Sequence, residues 1–288
     1  QETNPRGKST KEIRPVIIEN KNPKNRFTYL KGRKINAFFQ VFEALWILSG
    51  RADCKPLTLF NSNMEQFSDG NGFYNASYGE RMRFWGQNMS HNRVYDPIDQ
   101  LADVVRKLVD DPSTRKATIC LTNPTFDNSK YTIDGENKDI ACNMVMDFKI
   151  RNNKLDIVVY NRANDLHYGT YGANLCQFST IQEMVVSFLR HSSNESLKNL
   201  EVGSYYQITN SLHVYLDDYG YACTEQIQSH EFTPLNFDFN SPIPTINMSF
   251  DHFCAFANWF WTMVYPVLSS DTELKKEYNN LIEAIKTL

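Results

Sequence analysis

A thiol, a guanidinium, a carboxylate and an amide sit close together between Lys138 and Phe178, in KDIACNMVMDFKIRNNKLDIVVYNRANDLHYGTYGANLCQF. Cys142 stands at the mouth of an alternating strand that runs through Met144, Met146, Phe148 and Ile150. A second strand follows, with Leu155, Ile157 and Val159 on one face and Asp156, Val158 and Tyr160 on the other. It empties into Asn161-Arg162-Ala163-Asn164-Asp165, a run too polar to bury without partners. Gly169 and Gly172 permit a sharp turn, and Asn174 starts an amphipathic helix. Four reactive side chains at the ends of adjoining elements are the makings of a reaction centre.

The rest of the chain must position them. Gln1 to Arg14 is a polar arm whose Pro5-Arg6-Gly7-Lys8 is either a flexible tail or a phosphate-gripping loop. Short strands are expected at Val16–Ile18 and Phe27–Leu30. Asn36 caps a helix through Leu48 with Phe38, Phe42, Leu45 and Leu48 at helical spacing, and Gly50 ends it. Glu43 lies between Phe39 and Trp46. It is either a tilted surface residue or a carboxyl whose pKa is raised for proton handling. Asp96-Pro97 opens a scaffold helix bearing Ile98, Leu101, Val104, Val105 and Leu108, which stops at Asp110-Asp111-Pro112. Arg115-Lys116 precedes a strand, Ala117–Leu121. A long helix covers Leu175–Leu189. Ser204–Asp217 alternates strictly, with Tyr206, Ile208, Leu212, Val214 and Leu216 opposite Tyr205, Gln207, Thr209, Ser211, His213 and Tyr215, a polar face suited to holding a sugar. Asp218–Pro244 is loop-rich, and residues 249–288 form a helical end.

Bulk properties narrow the class. The 288 residues hold 30 Lys+Arg against 33 Asp+Glu, a net charge of −3 that shows no overall balance for nucleic acid. Six cysteines, at 54, 120, 142, 176, 223 and 254, lack metal-site spacing and suit a reducing, cytoplasmic setting. The longest apolar run, Cys254–Leu268, holds Asn258 and Pro266 and is too short for a membrane span. No clustered His and carboxylates call for a metal. One α+β domain over residues 1–288 is the simplest organisation.

The ACN tripeptide at Cys142, the NR-x-ND run ending at Gly169, and GAN before a helix resemble the thymidylate synthase superfamily. They are most similar to its branch of pyrimidine nucleotide hydroxymethylases. EALWILSG around Glu43, Tyr78-Gly79 followed by arginines, and His213-x-Tyr215 resemble further family segments in the expected order, from about Arg6 to Asp217. The resemblance implies a large mixed sheet with packed helices and a homodimer through the sheet face. It implies one-carbon transfer to C5 of a pyrimidine nucleoside monophosphate, with 5,10-methylenetetrahydrofolate as co-substrate and no metal. Cys142 would attack C6, and Arg162 would lower the thiol pKa and hold the phosphate. Tyr78 and Glu43 would move protons. Arg6, Arg162 and, across the dimer, Arg115 would bind phosphate, while His213 and Tyr215 would contact the 3′-hydroxyl. Asp165, Tyr168 and Gly169 would meet the folate. Asn174 can donate to O4 and accept from N3–H, which suits uracil; an acid there would suit cytosine. One extra residue separates Gly169 from Asn174, so Ala173 takes that place unless a local bulge absorbs it.

Departures from the family pattern bear on the product. Asn143 replaces the histidine usual after the cysteine, and Ala163 the serine usual after the arginine. The tryptophan that shields the methylene intermediate in classical synthases is replaced near Met64, and its loss favours capture by water. The short closing tail gives way to a helical segment. Hydroxymethylation of dUMP is therefore the leading expectation. A divergent synthase making dTMP and dihydrofolate, and a non-catalytic nucleotide- or RNA-binding descendant, are the alternatives.

Overall fold

The period-two pattern of MVMDFKI and LDIVVY builds the centre of the molecule. The structure, a computed structural model, describes residues 1–27, 36–68, 72–86, 97–127, 139–216, 245–273 and 276, without the side chains of Arg6 and residue 125. The end of the Phe27–Leu30 strand, all of the Asp218–Pro244 loop and almost all of the Thr272–Leu288 helix expected from sequence lie outside the described residues.

In chain order the elements are β1 (Glu2–Thr3), β2 (Thr10–Ile13), β3 (Val16–Asn20), α1 (Ala37–Leu48), α2 (Lys55–Phe60), α3 (Tyr78–Arg83) and α4 (Gln100–Asp110). There follow β4 (Thr118–Cys120), α5 (Pro124–Asp127), β5 (Asn143–Arg151), β6 (Lys154–Asn161), β7 (Asn164–Asp165), α6 (Asn174–Arg190), β8 (Glu201–Thr209), β9 (Leu212–Tyr215) and α7 (Phe250–Trp259). A five-stranded sheet has the order β3-β8-β6-β5-β4, with β6 and β8 parallel and the other pairs antiparallel. A smaller sheet, β1-β2-β9-β7, adjoins it. The architecture is α+β with a mixed sheet.

One face of the large sheet packs on α6. Ile119, Met146 and Val159 run in register across β4, β5 and β6 and are fully buried. Phe178, Ile181, Val185 and Leu189 of α6 are equally buried against them. At about 25 cal/mol per Å² of apolar surface, such a layer supplies most of the driving force for folding. Asn36 caps α1 by accepting from the Phe39 N–H at 2.9 Å. Gly79 lets α3 close on α1, because a Cβ there would stand 2.6 Å from the Ile47 carbonyl oxygen.

Three expectations need correction. Ser204–Asp217 is two strands in two sheets, broken at Asn210-Ser211, and the polar face of the first strand points inward. Tyr205, Gln207 and Thr209 are buried beneath α6 because they hydrogen-bond one another, Asn161 and Thr170, so they offer no surface to a sugar. On α1, the buried side carries Phe39, Glu43, Trp46 and Ile47, whereas Phe38 is half exposed. The apolar stripe was misjudged because Phe42 is covered from another side, by Phe60 of α2 and by Phe260 and Trp261 after α7. The scaffold helix begins after Asp99, whose side chain caps it by accepting from Ala102, while Ile98 bridges to Trp85 as extended chain.

The N-terminal arm is strand-bound. β2 pairs along the whole of β9, setting Glu12 opposite His213 and Thr10 opposite Tyr215.

Candidate active site

Cys142 lies just before β5, where a bulge sets two steps of β5 against one of β6: Asn143 faces Asn161, and Val145 faces Tyr160. Such bulges re-aim the side chains beside them. The Arg162 N–H donates to the Cys142 carbonyl at 3.0 Å. Its guanidinium is pinned by the Ala141 and Ile140 carbonyls at 2.9 and 3.0 Å, which leaves Nη2 3.4 Å from the Cys142 sulfur. A cation at that distance favours a thiolate, and the exposed edge of the fork remains open to an anion.

Beside the thiol, the Tyr78 hydroxyl accepts from both the backbone N–H and the side-chain amide of Asn143, at 3.2 and 2.8 Å. Burial, and then the neighbouring Cys142 charge, raise the Tyr78 pKa and keep it a neutral phenol. With its lone pairs taken, that phenol has only its proton to offer the site. Asn143 is itself held by Asn161, which accepts from Thr209 at 3.0 Å; Gln207 donates to Thr209 and Thr170. This buried relay was not found from sequence. Its signal was polar residues at inward positions of β5, β6 and β8, where apolar ones were due.

Glu43 is buried on α1, and desolvation pushes its carboxyl up to about 7, with a hydrogen bond from Gln177 opposing the shift. Of the two readings left open by the sequence, the buried one holds. Gln177, also missed, accepts from the Asn174 amide at 3.1 Å, so Glu43, Gln177 and Asn174 form one chain. Its signal was an inward amide one turn after Asn174. Ahead of α6, the Asn174 N–H reaches back five residues to the Gly169 carbonyl, a π-type turn, and the backbone of Leu166–Ala173 kinks out of helical geometry at Tyr171 and Gly172. A π turn holds one more residue than an α turn. Ala173 is buried here and Asn174 is part-exposed.

Asp165 caps this turn, accepting from His167 and Tyr168 N–H groups at 2.7 Å each. The exposed Tyr168 ring reaches the Met64 sulfur through its hydroxyl at 3.8 Å. Gly169 is packed so closely that a Cβ would collide with the Asn164 amide and stand 2.8 Å from Asn174 Oδ1. On β9, directly opposite Asp165, His213 meets Tyr215 edge-on with ring centroids 5.4 Å apart, and Lys8 lies over the Tyr215 ring. Arg6 occupies the turn Pro5–Gly7, in which Gly7 adopts φ +74°. The structure thus joins Cys142, Arg162 and Tyr78 at one end of β5. It joins Glu43 to Asn174 through Gln177, and it sets Asp165 beside His213. Arg115 is exposed at the start of β4, apart from these groups.

The order of motifs along the chain, that of Cys142 among them, now has its counterpart in geometry and in comparison. The sequence profile of the family described as thymidylate synthase matches residues 1–254. The chain belongs to the thymidylate synthase family. Among its relatives, the deoxyuridylate hydroxymethyltransferase of Bacillus phage SP01 is 50% identical over 277 residues, covering 93% of this chain and 69% of the relative. That of Pseudomonas phage M6 is 29% identical over 202 residues, and the aligned part is 51% of its length. The thymidylate synthase of Francisella tularensis subsp. holarctica is 26% identical over 197 residues, 66% of this chain and 65% of the relative. The resemblance seen in the motifs is borne out. The family profile ends inside α7, so Phe260–Val264 and Tyr265–Ser270, which continue the helical end, lie beyond it. Among the described residues no helix is long and apolar enough to cross a membrane, and no group of three or more His, Cys, Asp or Glu could hold a metal.

Proposed function

We propose that this family member transfers a one-carbon unit to C5 of dUMP as a hydroxymethyl group, with 5,10-methylenetetrahydrofolate as co-substrate. The observation that carries this is the Cys142 thiol held 3.4 Å from the Arg162 guanidinium beside Tyr78, in a chain half identical to a deoxyuridylate hydroxymethyltransferase. The Cys142 thiolate adds to C6 of uracil, which makes C5 nucleophilic. Methylenetetrahydrofolate supplies an electrophilic carbon that C5 captures. The C5 proton then leaves through water ordered by Tyr78, the bond from the transferred carbon to the folate nitrogen breaks, and tetrahydrofolate departs to leave an exocyclic methylene on C5, while Glu43 carries protons to and from O4. Water adds to the exocyclic methylene, and the thiolate departs from C6. Arg162 and Arg6 hold the phosphate, and His213 with Tyr215 hold the 3′-hydroxyl.

The folate has a fitting surface: the exposed Tyr168 ring, the Asp165 carboxylate and the Gly169 backbone lie together, with Met64 behind. An aromatic shelf with a carboxylate at its edge suits a flat heterocycle bearing N–H donors. A thioether rather than an indole at Met64 leaves the methylene open to water and favours hydroxymethyl over methyl. Incubation with dUMP, dCMP, UMP and CMP plus methylenetetrahydrofolate tests the reading. A hydroxymethyl mass gain on dUMP without dihydrofolate is expected. Methyl gain with dihydrofolate would make the enzyme a thymidylate synthase and overturn the water-capture argument.

We further propose a homodimer through the open face of the large sheet, in the cytosol. Ile17, Ile208, Tyr160 and Val145 form one apolar row across four strands of that face, with Ile17 70% exposed. Apolar rows of this kind are what a partner surface covers. Arg115, beside β4 of the same sheet, would cross to the partner's phosphate. Sedimentation should give twice the 33.4 kDa chain mass; a monomer at working concentration would sink this arrangement.

A further inference from the structure

We propose that Gln177 fixes which way round the Asn174 amide faces the base, and so makes the site select uracil over cytosine; this rests on the functional reading above. An asparagine amide is nearly symmetrical in shape, with a donor on one arm and an acceptor on the other. Uracil presents O4 as acceptor and N3–H as donor. Cytosine presents the reverse, an amino donor and an N3 acceptor. A freely turning Asn174 would pair with either base by rotating half a turn, so an asparagine alone does not discriminate.

Gln177 removes that freedom. It stands one helical turn after Asn174 on α6 and is 3% exposed, and its Oε1 accepts from Asn174 Nδ2 at 3.1 Å. Its other arm serves the buried Glu43, whose carboxylate, when ionised, only accepts. With Glu43 ionised the polarity runs one way: the carboxylate takes the Gln177 Nε2–H, leaving Oε1 toward Asn174 and drawing Nδ2 toward itself. Turning Asn174 over would set Oδ1 against Oε1, two acceptors with no hydrogen between them in a buried setting. In the fixed orientation the second Nδ2 hydrogen serves O4, and Oδ1 serves N3–H. The missing Cβ of Gly169 keeps the space around Oδ1 open, since a Cβ would stand 2.8 Å from it.

Gln177 is thus a positioning residue. Titration calorimetry of dUMP and dCMP, without folate, into wild type, Gln177→Leu and Gln177→Glu separates this role from a structural one. Wild type should prefer dUMP. In Gln177→Leu the preference should fall by about tenfold or more, chiefly because dCMP binds more tightly, an outcome that general loosening of the site would not produce. Gln177→Glu keeps an acceptor toward Asn174 and shares a proton with Glu43, so it should retain the preference. Gln177→Met serves as the acceptor-free variant if leucine prevents folding. An acceptor-free variant that keeps the wild-type ratio, or a Gln177→Glu protein that loses it, would overturn the proposal while leaving the functional reading intact. A wild type that binds neither nucleotide would instead overturn that reading, and the proposal with it.

Discussion

Replacing Cys142 with serine is expected to lower turnover on dUMP by on the order of 10⁴-fold or more while leaving nucleotide binding within a few-fold of wild type. The sulfur makes the bond to C6 on which every later step depends, whereas the Arg162 guanidinium stays anchored by the Ala141 and Ile140 carbonyls and remains ready for phosphate. A hydroxyl beside the same cation keeps its proton, because its pKa lies far above that of a thiol. The loss should therefore appear in kcat, with release of tritium from C5 falling in parallel. Tritium release surviving at the wild-type rate would mean that C5 is activated without the thiol, and the mechanism would fail. Loss of dUMP binding alone would instead make Cys142 a packing residue.

Glu43→Gln should move activity and stability in opposite directions. Burial raises the Glu43 carboxyl from 4.5 to about 7, so the folded chain holds that proton more tightly than the unfolded chain does. The sign follows from linkage. Below about pH 4.5 the carboxyl is neutral in both states and burial carries no charge penalty. Between 4.5 and 7 the unfolded state ionises first, so stability falls as pH rises, and the penalty levels off above 7. At about 1.4 kcal/mol per pH unit the full penalty is about 3 kcal/mol. Glutamine removes the ionisation, and the variant should be more stable than wild type at pH 8 and nearly equal to it at pH 4.5. Urea unfolding at the two pH values measures this, and parallel curves for the two proteins would show that Glu43 is not buried as a charge. Turnover should drop by about 10²- to 10⁴-fold, the range for a lost proton carrier.

Much of the site was legible in the chain. Cys142, Arg162, Asp165 and Asn174 were singled out because charged and nucleophilic groups between apolar strands have no structural reason to be there. Glu43 stood out in the same way among Phe39 and Trp46. The strands over Cys142–Tyr160 and the helix over Leu175–Leu189 followed from periods of two and 3.6 in long segments. Where the period misled, other parts of the chain had intervened. Phe42 of α1 packs on Phe60 and Trp261 rather than on the core side, and no local pattern records that. The alternation of Ser204–Tyr215 continues through a break between two sheets, because period two survives a strand that bends from one sheet into the next. Its inward polar face also inverts the usual rule, and the partners that make burial acceptable, Asn161 and Thr170, come from elements some forty residues earlier.

The sequence by itself determined the longer strands and helices, the place of Cys142 at a strand mouth and the family motifs, since these depend on side-chain type and short-range spacing. Only the tertiary structure decided how the groups act on one another. It placed Nη2 of Arg162 3.4 Å from the thiol, filled the lone pairs of Tyr78 with Asn143, and turned the chain back so that the Asn174 N–H meets the Gly169 carbonyl. It also set the Asn174 amide against Gln177, beside the buried Glu43. Hydrogen-bond polarity and pKa depend on distance and burial among residues far apart in the chain, and those are set when the helices close on the sheet.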